Sequence, residues 1–186
     1  MRDNEMKLAK VKKSCAISKK VVNVLKVIML VFLILCAIAA VVVLGFRNQI
    51  NAEMPAAIAN GNVNFDVSDI NINGIIDLSI PVEMMLERGN YAGVYALTCG
   101  YGAGACAIIF AIFATLVNVF KTIEGSDTPF CDLVLSKIKK TFILLVVMTA
   151  LFTGLGFAAV LGLSFWCVYR IFEYGVALQN EVDETL

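Results

Sequence analysis

The residues that could do chemistry in this chain are six cysteines, a few carboxylates and a short glycine cluster, because the chain contains no histidine. Without histidine, Ser-His-Asp and Cys-His nucleophile systems and all His-ligated metal sites are excluded. No two cysteines have the Cys-x-x-Cys spacing, which excludes thioredoxin-type and zinc-ribbon sites. The sequence therefore predicts no catalytic residue, no metal site and no cofactor.

Most of the cysteines lie where they can act as small apolar side chains. Cys36, Cys99, Cys106 and Cys167 are within long apolar runs, where cysteine usually packs as a small hydrophobic residue. The polar stretch 47–90 contains no cysteine at all, so it has no disulfide of its own. We interpret the cysteines as packing residues.

The carboxylates lie outside the apolar runs, at their ends. Glu173 and Asp183 are ten residues apart after the last run, whereas an intramembrane acid catalyst needs carboxylates within the span. Arg170 precedes Glu173 by three residues, which is the spacing of an ion pair on a helix surface. These positions predict that the protein is not an enzyme.

A glycine cluster lies in the second long apolar run. Gly100 and Gly104 form a Gly-x-x-x-Gly pattern, and small residues at this spacing let two membrane helices approach closely. A phosphate-binding loop would need a following Gly-Lys-Ser/Thr, which is absent. We predict helix packing at these glycines, with an open cavity or lipid contact as the alternative.

The composition of the chain is that of a membrane protein. Sixty per cent of the residues are hydrophobic and 16% are charged, against about half and about a quarter in soluble domains. Fifteen basic and 15 acidic residues give no net charge, so no basic field is available for a polyanion. The sequence predicts the lipid bilayer as the protein's surroundings and no direct binding of nucleic acid.

Three apolar runs are long enough to cross a bilayer of about 30 Å. Residues 27–46 form the first, which is too long for the core of a cleavable signal peptide. Residues 91–120 form the second, and 141–169 the third. The third fits either one tilted helix or two short helices folded at Gly154-Leu155-Gly156.

The charges around the third run favour two helices. Lys139 and Arg170 are 16 and 15 residues from Leu155, so a reversal there would bring both charges to one interface. The transmembrane cores would then be 141–153 and 157–172. We predict an all-α fold, a four-transmembrane-helix bundle, with three spans as the alternative.

The basic residues predict the orientation of this single integral membrane domain, 1–186. Eight lie in 1–26 and four in the link 121–140, against two in 47–90. Because basic loops stay in the cytoplasm, we expect a multi-pass cell-membrane protein with a cytoplasmic N-terminus and an extracytoplasmic 47–90 loop. Four spans would place the acidic tail 173–186 in the cytoplasm, and three would place it outside.

Two segments outside the spans have patterns of their own. The basic segment 1–26 interleaves lysines with apolar residues, so it could lie on an anionic leaflet or simply flank the first span. Residues 63–73 alternate apolar and polar side chains, Asn73-Gly74 is a turn signal, and residues 75–80 could form the return strand before Pro81. The second pattern predicts a small extracytoplasmic β-hairpin.

Two motifs resemble a known family of bacterial membrane proteins. Residues 171–186, IFEYGVALQNEVDETL, resemble the C-terminal pattern IFxYGxxLQxExDETL of the domain of unknown function 2975 family. Ile123-Glu124-Gly125 and Pro129-Phe130 resemble its IEGxPF segment, here padded by Ser126-Asp127-Thr128. The resemblance implies four transmembrane helices, both ends in the cytoplasm, and a gene often next to that of a small helix-turn-helix repressor. It implies no reaction.

We therefore predict a non-enzymatic regulatory or scaffold protein with a cytoplasmic partner. A small helix-turn-helix regulator and a second copy of the chain are the candidate partners, and a small transporter, channel subunit or immunity-type protein is the alternative function. The tail has helical periodicity, so its apolar face either docks a partner or packs on neighbouring helices. The candidate partner surface consists of Pro129, Phe130, Arg170, Glu173, Tyr174, Leu178, Gln179 and Asp183.

Overall fold

The computed structural model describes residues 2–61, 78–126, 128 and 130–184. These residues form six α-helices and no strand, which confirms the all-α prediction. The helices are α1 (Arg2–Gly45), α2 (Arg47–Ala59), α3 (Ser79–Glu87), α4 (Tyr91–Gly125), α5 (Asp132–Thr153) and α6 (Leu155–Glu184).

Three of the helices are long and apolar enough to cross a membrane. The candidate spans are Leu8–Gly45 in α1, Tyr91–Gly125 in α4 and Leu155–Val182 in α6. The uncharged part of α5, residues 141–153, is only about 20 Å long as a helix, against a hydrocarbon core of about 30 Å. Three candidate spans indicate a multi-pass membrane protein.

The first helix joins two segments that the sequence analysis separated at residue 26. α1 has 44 residues, so it is about 66 Å long. It continues through the basic segment into the apolar run without a break between residues 26 and 27. The basic segment is therefore a direct extension of the first span, because its residues have the same helical backbone as those that follow.

The loop between the first two spans is partly helical, through α2 and α3. Most of the predicted β-hairpin, residues 62–77, lies outside the described residues. Ser79 and Ile80, predicted to end the return strand, instead begin α3. Pro81 is compatible with this because it is the third residue of the helix, where the backbone N–H has no partner within the helix.

The α1 and α4 helices run antiparallel along each other. At one end, the Lys19 ammonium pairs with Glu124. At the other end, the backbone N–H of Ala92 donates a hydrogen bond of 2.9 Å to Asn51 Oδ1, just past α1. Between these contacts, a Cβ added at Gly102 would lie 3.7 Å from Cys36 Sγ, so the two helices approach closely there.

The α5 and α6 helices form an antiparallel hairpin that reverses at Gly154. This residue has φ 109° and ψ 163°, and it is the only residue between the two helices. The Phe142 and Phe165 rings stack across the hairpin, with centroids 4.3 Å apart and planes 5° apart. The run 141–169 therefore contains parts of two helices and not one tilted helix, and these were the two alternatives predicted from the sequence.

The helices lie in an open row in the order α1, α4, α5, α6, with α2 and α3 against α4. Among the described residues, α1 contacts neither α5 nor α6, so the helices do not close into a ring. Lipid is as apolar as the helix surfaces, so there is no hydrophobic gain in closing the row. The outer faces of the helices are consequently left apolar and exposed.

Candidate partner surface on the last helix

The last helix continues well beyond the charge that ends its apolar run. α6 extends to Glu184, so the 14 residues after Arg170 add about 20 Å of helix. The sequence analysis separated a span core ending at residue 172 from a tail beginning at 173. The helix is continuous across this position, and residues 173–184 form its last three turns.

One side of this extension packs on the link between α4 and α5. The rings of Phe172 and Phe130 are 5.9 Å apart and tilted by 45°. A Cβ added at Gly175 would lie only 2.8 Å from Phe130 Cδ1, so the absence of a side chain at Gly175 is what admits this ring. Val176 is buried, with 5% of its surface exposed. The link therefore supports α6 from this side.

A different side of the extension is apolar and exposed. Ile171, Tyr174, Leu178 and Val182 are 70%, 66%, 44% and 53% exposed. Their spacings of three and four residues place them along one face of the helix, which we call the α6 apolar face. The sequence left open whether this face packs on neighbouring helices, and in the described residues the packed side is instead that of Phe172 and Val176.

At the start of the extension, Arg170 and Glu173 form the ion pair that their spacing predicted. Both side chains are well exposed, at 58% and 42%, and exposed pairs of this kind stabilise a helix by about 0–1 kcal/mol. The Arg170 guanidinium also lies 4.9 Å from the centroid of the Trp166 ring. This pair is a surface feature of the helix.

The structure thus divides the predicted partner surface. Tyr174 and Leu178 lie together on the α6 apolar face, whereas Phe130, which is 38% exposed, packs on the adjacent supported side. Gln179 is half-buried. The backbone of Asp183 is in the last turn of α6, and Pro129 lies outside the described residues.

The predicted packing at Gly100 and Gly104 has no partner helix among the described residues and stays a prediction. A Cβ added at either glycine would meet no atom within 4 Å. The glycine that faces α1 is Gly102, which lies between them and would bring an added Cβ to 3.7 Å from Cys36 Sγ. A four-residue spacing shows that two glycines share a face but not which neighbour that face meets, and here the face of Gly100 and Gly104 is left open on the surface of α4.

Sequence reasoning missed the polar contacts that lie next to the link between α4 and α5. Glu124 pairs with Lys19 through Oε2, while its Oε1 is buried with no hydrogen-bond partner in the described structure. Nearby, the Lys137 ammonium donates a hydrogen bond to Thr122 Oγ1. The one available signal was the place of Glu124 in the Ile-Glu-Gly motif, which does not reveal a partner 105 residues away.

The described residues contain no group of three or more Cys, Asp or Glu side chains that could hold a metal ion. Comparison with family models, with curated proteins and with solved structures finds no match to this chain. The geometry of the helices and the chemistry of the α6 apolar face are therefore the features that can indicate a function.

Proposed function

We propose that this chain is a non-enzymatic regulatory or scaffold protein of a bacterial cell membrane, and that it docks a cytoplasmic protein on the α6 apolar face. The observation that carries the proposal is a helical extension with large apolar side chains left exposed on one side. An amphipathic helix commonly binds by laying such a face into an apolar groove of its partner. Tyr174 suits the centre of the contact, since tyrosine is enriched among the residues that dominate binding energy.

Docking in the cytoplasm requires four membrane crossings with both ends inside. The antiparallel hairpin supports this topology, because the Lys139 ammonium lies 5.8 Å from the Tyr169 ring and the charged ends of both helices are therefore level. The uncharged part of α5 is shorter than the hydrocarbon core, but lysine side chains at its end can extend to the interface and make up the difference. The two lysine-rich segments, 1–26 and 121–140, also lie at the same end of the antiparallel α1–α4 pair, where Lys19 meets Glu124. This agrees with the positive-inside rule.

A reporter fused after Leu186 tests the topology. With four crossings, a fluorescent protein that folds only in the cytoplasm should give signal, and a phosphatase active only outside should be silent. The reverse pair of results would mean three crossings and an external tail. It would remove the cytoplasmic docking proposal.

The charge of the tail narrows the class of partner. Residues 173–186 contain four acidic and no basic residues, so they complement a basic protein surface. The resemblance to the domain of unknown function 2975 family points to a small helix-turn-helix regulator, and the DNA-reading surface of such a protein is basic. The regulator could then bind either α6 or DNA but not both. Its release from this membrane protein would therefore be the regulatory step.

A photo-crosslinking amino acid placed at Tyr174 tests docking in intact cells. We expect an adduct with a cytoplasmic protein other than this chain. Leu178→Asp should abolish the adduct by placing a charge in the apolar face. The matched control is Asn180→Asp, which adds the same charge at an exposed position outside that face and should keep the adduct.

Other results of the same experiment would contradict the proposal. An adduct only with lipid would mean that the face lies on the membrane, and an adduct only with another copy would mean self-association. Equal loss in both variants would indicate a general charge effect. The transport alternative has no specific support among the described residues.

A further inference from the structure

A groove of about 480 Å³ runs along the α5–α6 hairpin, within the range of about 300–1,000 Å³ typical of small-ligand sites. Its apolar part is lined by residues that include the stacked Phe142 and Phe165. Gly162 helps to keep the groove open, because it places no side chain beside Val146, whose Cγ atoms would be 3.8 Å from an added Cβ.

The groove opens outward and is not covered by another helix of the row. Ile143, Val147 and Trp166, which line it, are 54%, 48% and 58% exposed. Within the described helices, α6 contacts only α5. Because residues 141–169 are uncharged, the apolar part of the groove would face the hydrocarbon of the bilayer.

One end of the groove has a polar rim of defined charge. Lys139, Arg170 and Glu173 all line it, together with the Trp166 and Tyr169 rings. Arg170 is already paired with Glu173, but no carboxylate among the described residues pairs with the Lys139 ammonium. The rim therefore has one uncompensated positive charge next to two aromatic side chains.

We propose that the groove binds an anionic phospholipid, with an acyl chain along Phe142 and Gly162 and the headgroup phosphate on Lys139. A phosphate and an ammonium form a charge-assisted hydrogen bond. Tryptophan and tyrosine favour the headgroup level of a membrane, and basic pockets between helices on the cytoplasmic side bind anionic headgroups. The proposal depends on α5 and α6 both entering the membrane, but it does not depend on a protein partner.

Trp166 provides a direct measurement, because it is the single tryptophan of the chain and lines the groove. The full chain is placed in phosphatidylcholine nanodiscs and titrated with phospholipids brominated on their acyl chains, which quench tryptophan fluorescence on contact. Brominated phosphatidylglycerol should quench at about five-fold lower mole fraction than brominated phosphatidylcholine, the effect expected for one lysine near a headgroup.

Two variants with the same loss of charge distinguish a site from general surface attraction. Lys139→Gln should remove the preference for phosphatidylglycerol. Lys140→Gln is the matched control, since Lys140 is adjacent and exposed but does not line the groove, and it should keep the preference. A third variant, Gly162→Leu, should fill the groove and reduce quenching by both lipids while the circular dichroism spectrum stays that of the unmodified protein.

Three results would overturn the proposal. Equal quenching by the two lipids would mean unselective contact with the bilayer, and equal effects of the two lysine variants would mean surface charge alone. No quenching by either lipid would mean that protein, such as a second copy, covers the groove. Leu178→Asp should not change lipid quenching, so a failure of partner docking and a failure of lipid binding are separable.

Discussion

The α1–α4 pair and the α5–α6 hairpin are both antiparallel two-helix units, but different interactions hold them together. α1 and α4 are joined by a long connection, and polar contacts fix both ends of the pair: Lys19 with Glu124, and Asn51 with the first turn of α4. α5 and α6 are joined by Gly154 alone and pack through aromatic rings. The first unit depends on side-chain chemistry at its ends, and the second on one backbone conformation.

The different lengths of the two connections explain this difference. A long connection leaves the register of two apolar helices undetermined, because apolar side chains in lipid pack almost equally well after a shift. Directional hydrogen bonds at the ends then select one register. A one-residue turn already fixes the register, so the hairpin needs no polar contact between its two helices and can keep an open apolar groove.

The largest effect should come from replacing the residue at the reversal. Gly154→Ala forces a side chain into a conformation with φ 109° and ψ 163°, which is almost exclusive to glycine and costs about 1–3 kcal/mol in other residues. Thermal unfolding in detergent, followed by circular dichroism, should show a lower melting temperature. Gly156→Ala is the control: it has no positive φ and open space around it, so it should be neutral. Equal effects would mean that the turn is not strained.

The next effect concerns the ion pair at the link end of α1 and α4. Lys19→Met leaves the partly buried Glu124 carboxylate, 22% exposed, without its partner, so we expect a loss of about 1–2 kcal/mol of unfolding free energy. Lys20→Met removes the same charge from an exposed neighbouring position and should have little effect. Lys19→Met combined with Glu124→Gln should recover part of the loss in the same melting assay. No recovery would mean that the two residues are not coupled.

A smaller effect is expected at the opposite end of the same pair. Asn51→Ala removes the acceptor of the Ala92 N–H bond, and loss of such a helix-capping side chain costs about 1 kcal/mol. Asn48→Ala, at an exposed position on the same helix, should leave the melting temperature unchanged. If both variants behaved alike, the N–H groups of α4 would be satisfied without Asn51.

The smallest effect should be at the exposed pair of α6. Glu173→Gln breaks the ion pair with Arg170, but both side chains are well exposed, so the expected loss is below about 0.5 kcal/mol. The melting temperatures of this variant and of the unmodified protein should differ by the same small amount, within error, in high and in low salt. A loss as large as that of Lys19→Met would mean that α6 depends on this ion pair for its stability.

The reversal at Gly154 was accessible from the sequence because three signals coincided there: two nearby glycines, a long uncharged run and basic residues equidistant from its centre. The open row of helices could not be predicted from the sequence. Apolar patterns in lipid do not distinguish a face that meets a helix from one that meets acyl chains. The spacing of Gly100 and Gly104 therefore could not indicate that Gly102 is the glycine that faces α1.

The candidate site shows the same limit. Helical periodicity correctly grouped Tyr174 and Leu178 on one exposed face. It gave no indication that Phe130 would pack against Gly175 on another side, because that contact joins residues 45 positions apart through the path of the link. Local patterns define which residues share a face, and only the fold defines what each face meets.

The row order also has a consequence for how the molecule is made. Each long helix packs on the long helix made just before it, and none waits for a contact with a later helix to close a ring. Assembly can therefore proceed in the direction of synthesis, with α4 pairing to α1 while the hairpin is still in the ribosome. A chain that ends after residue 126 and has left the ribosome would already contain its complete first unit, so it could form a paired intermediate in the membrane without the hairpin.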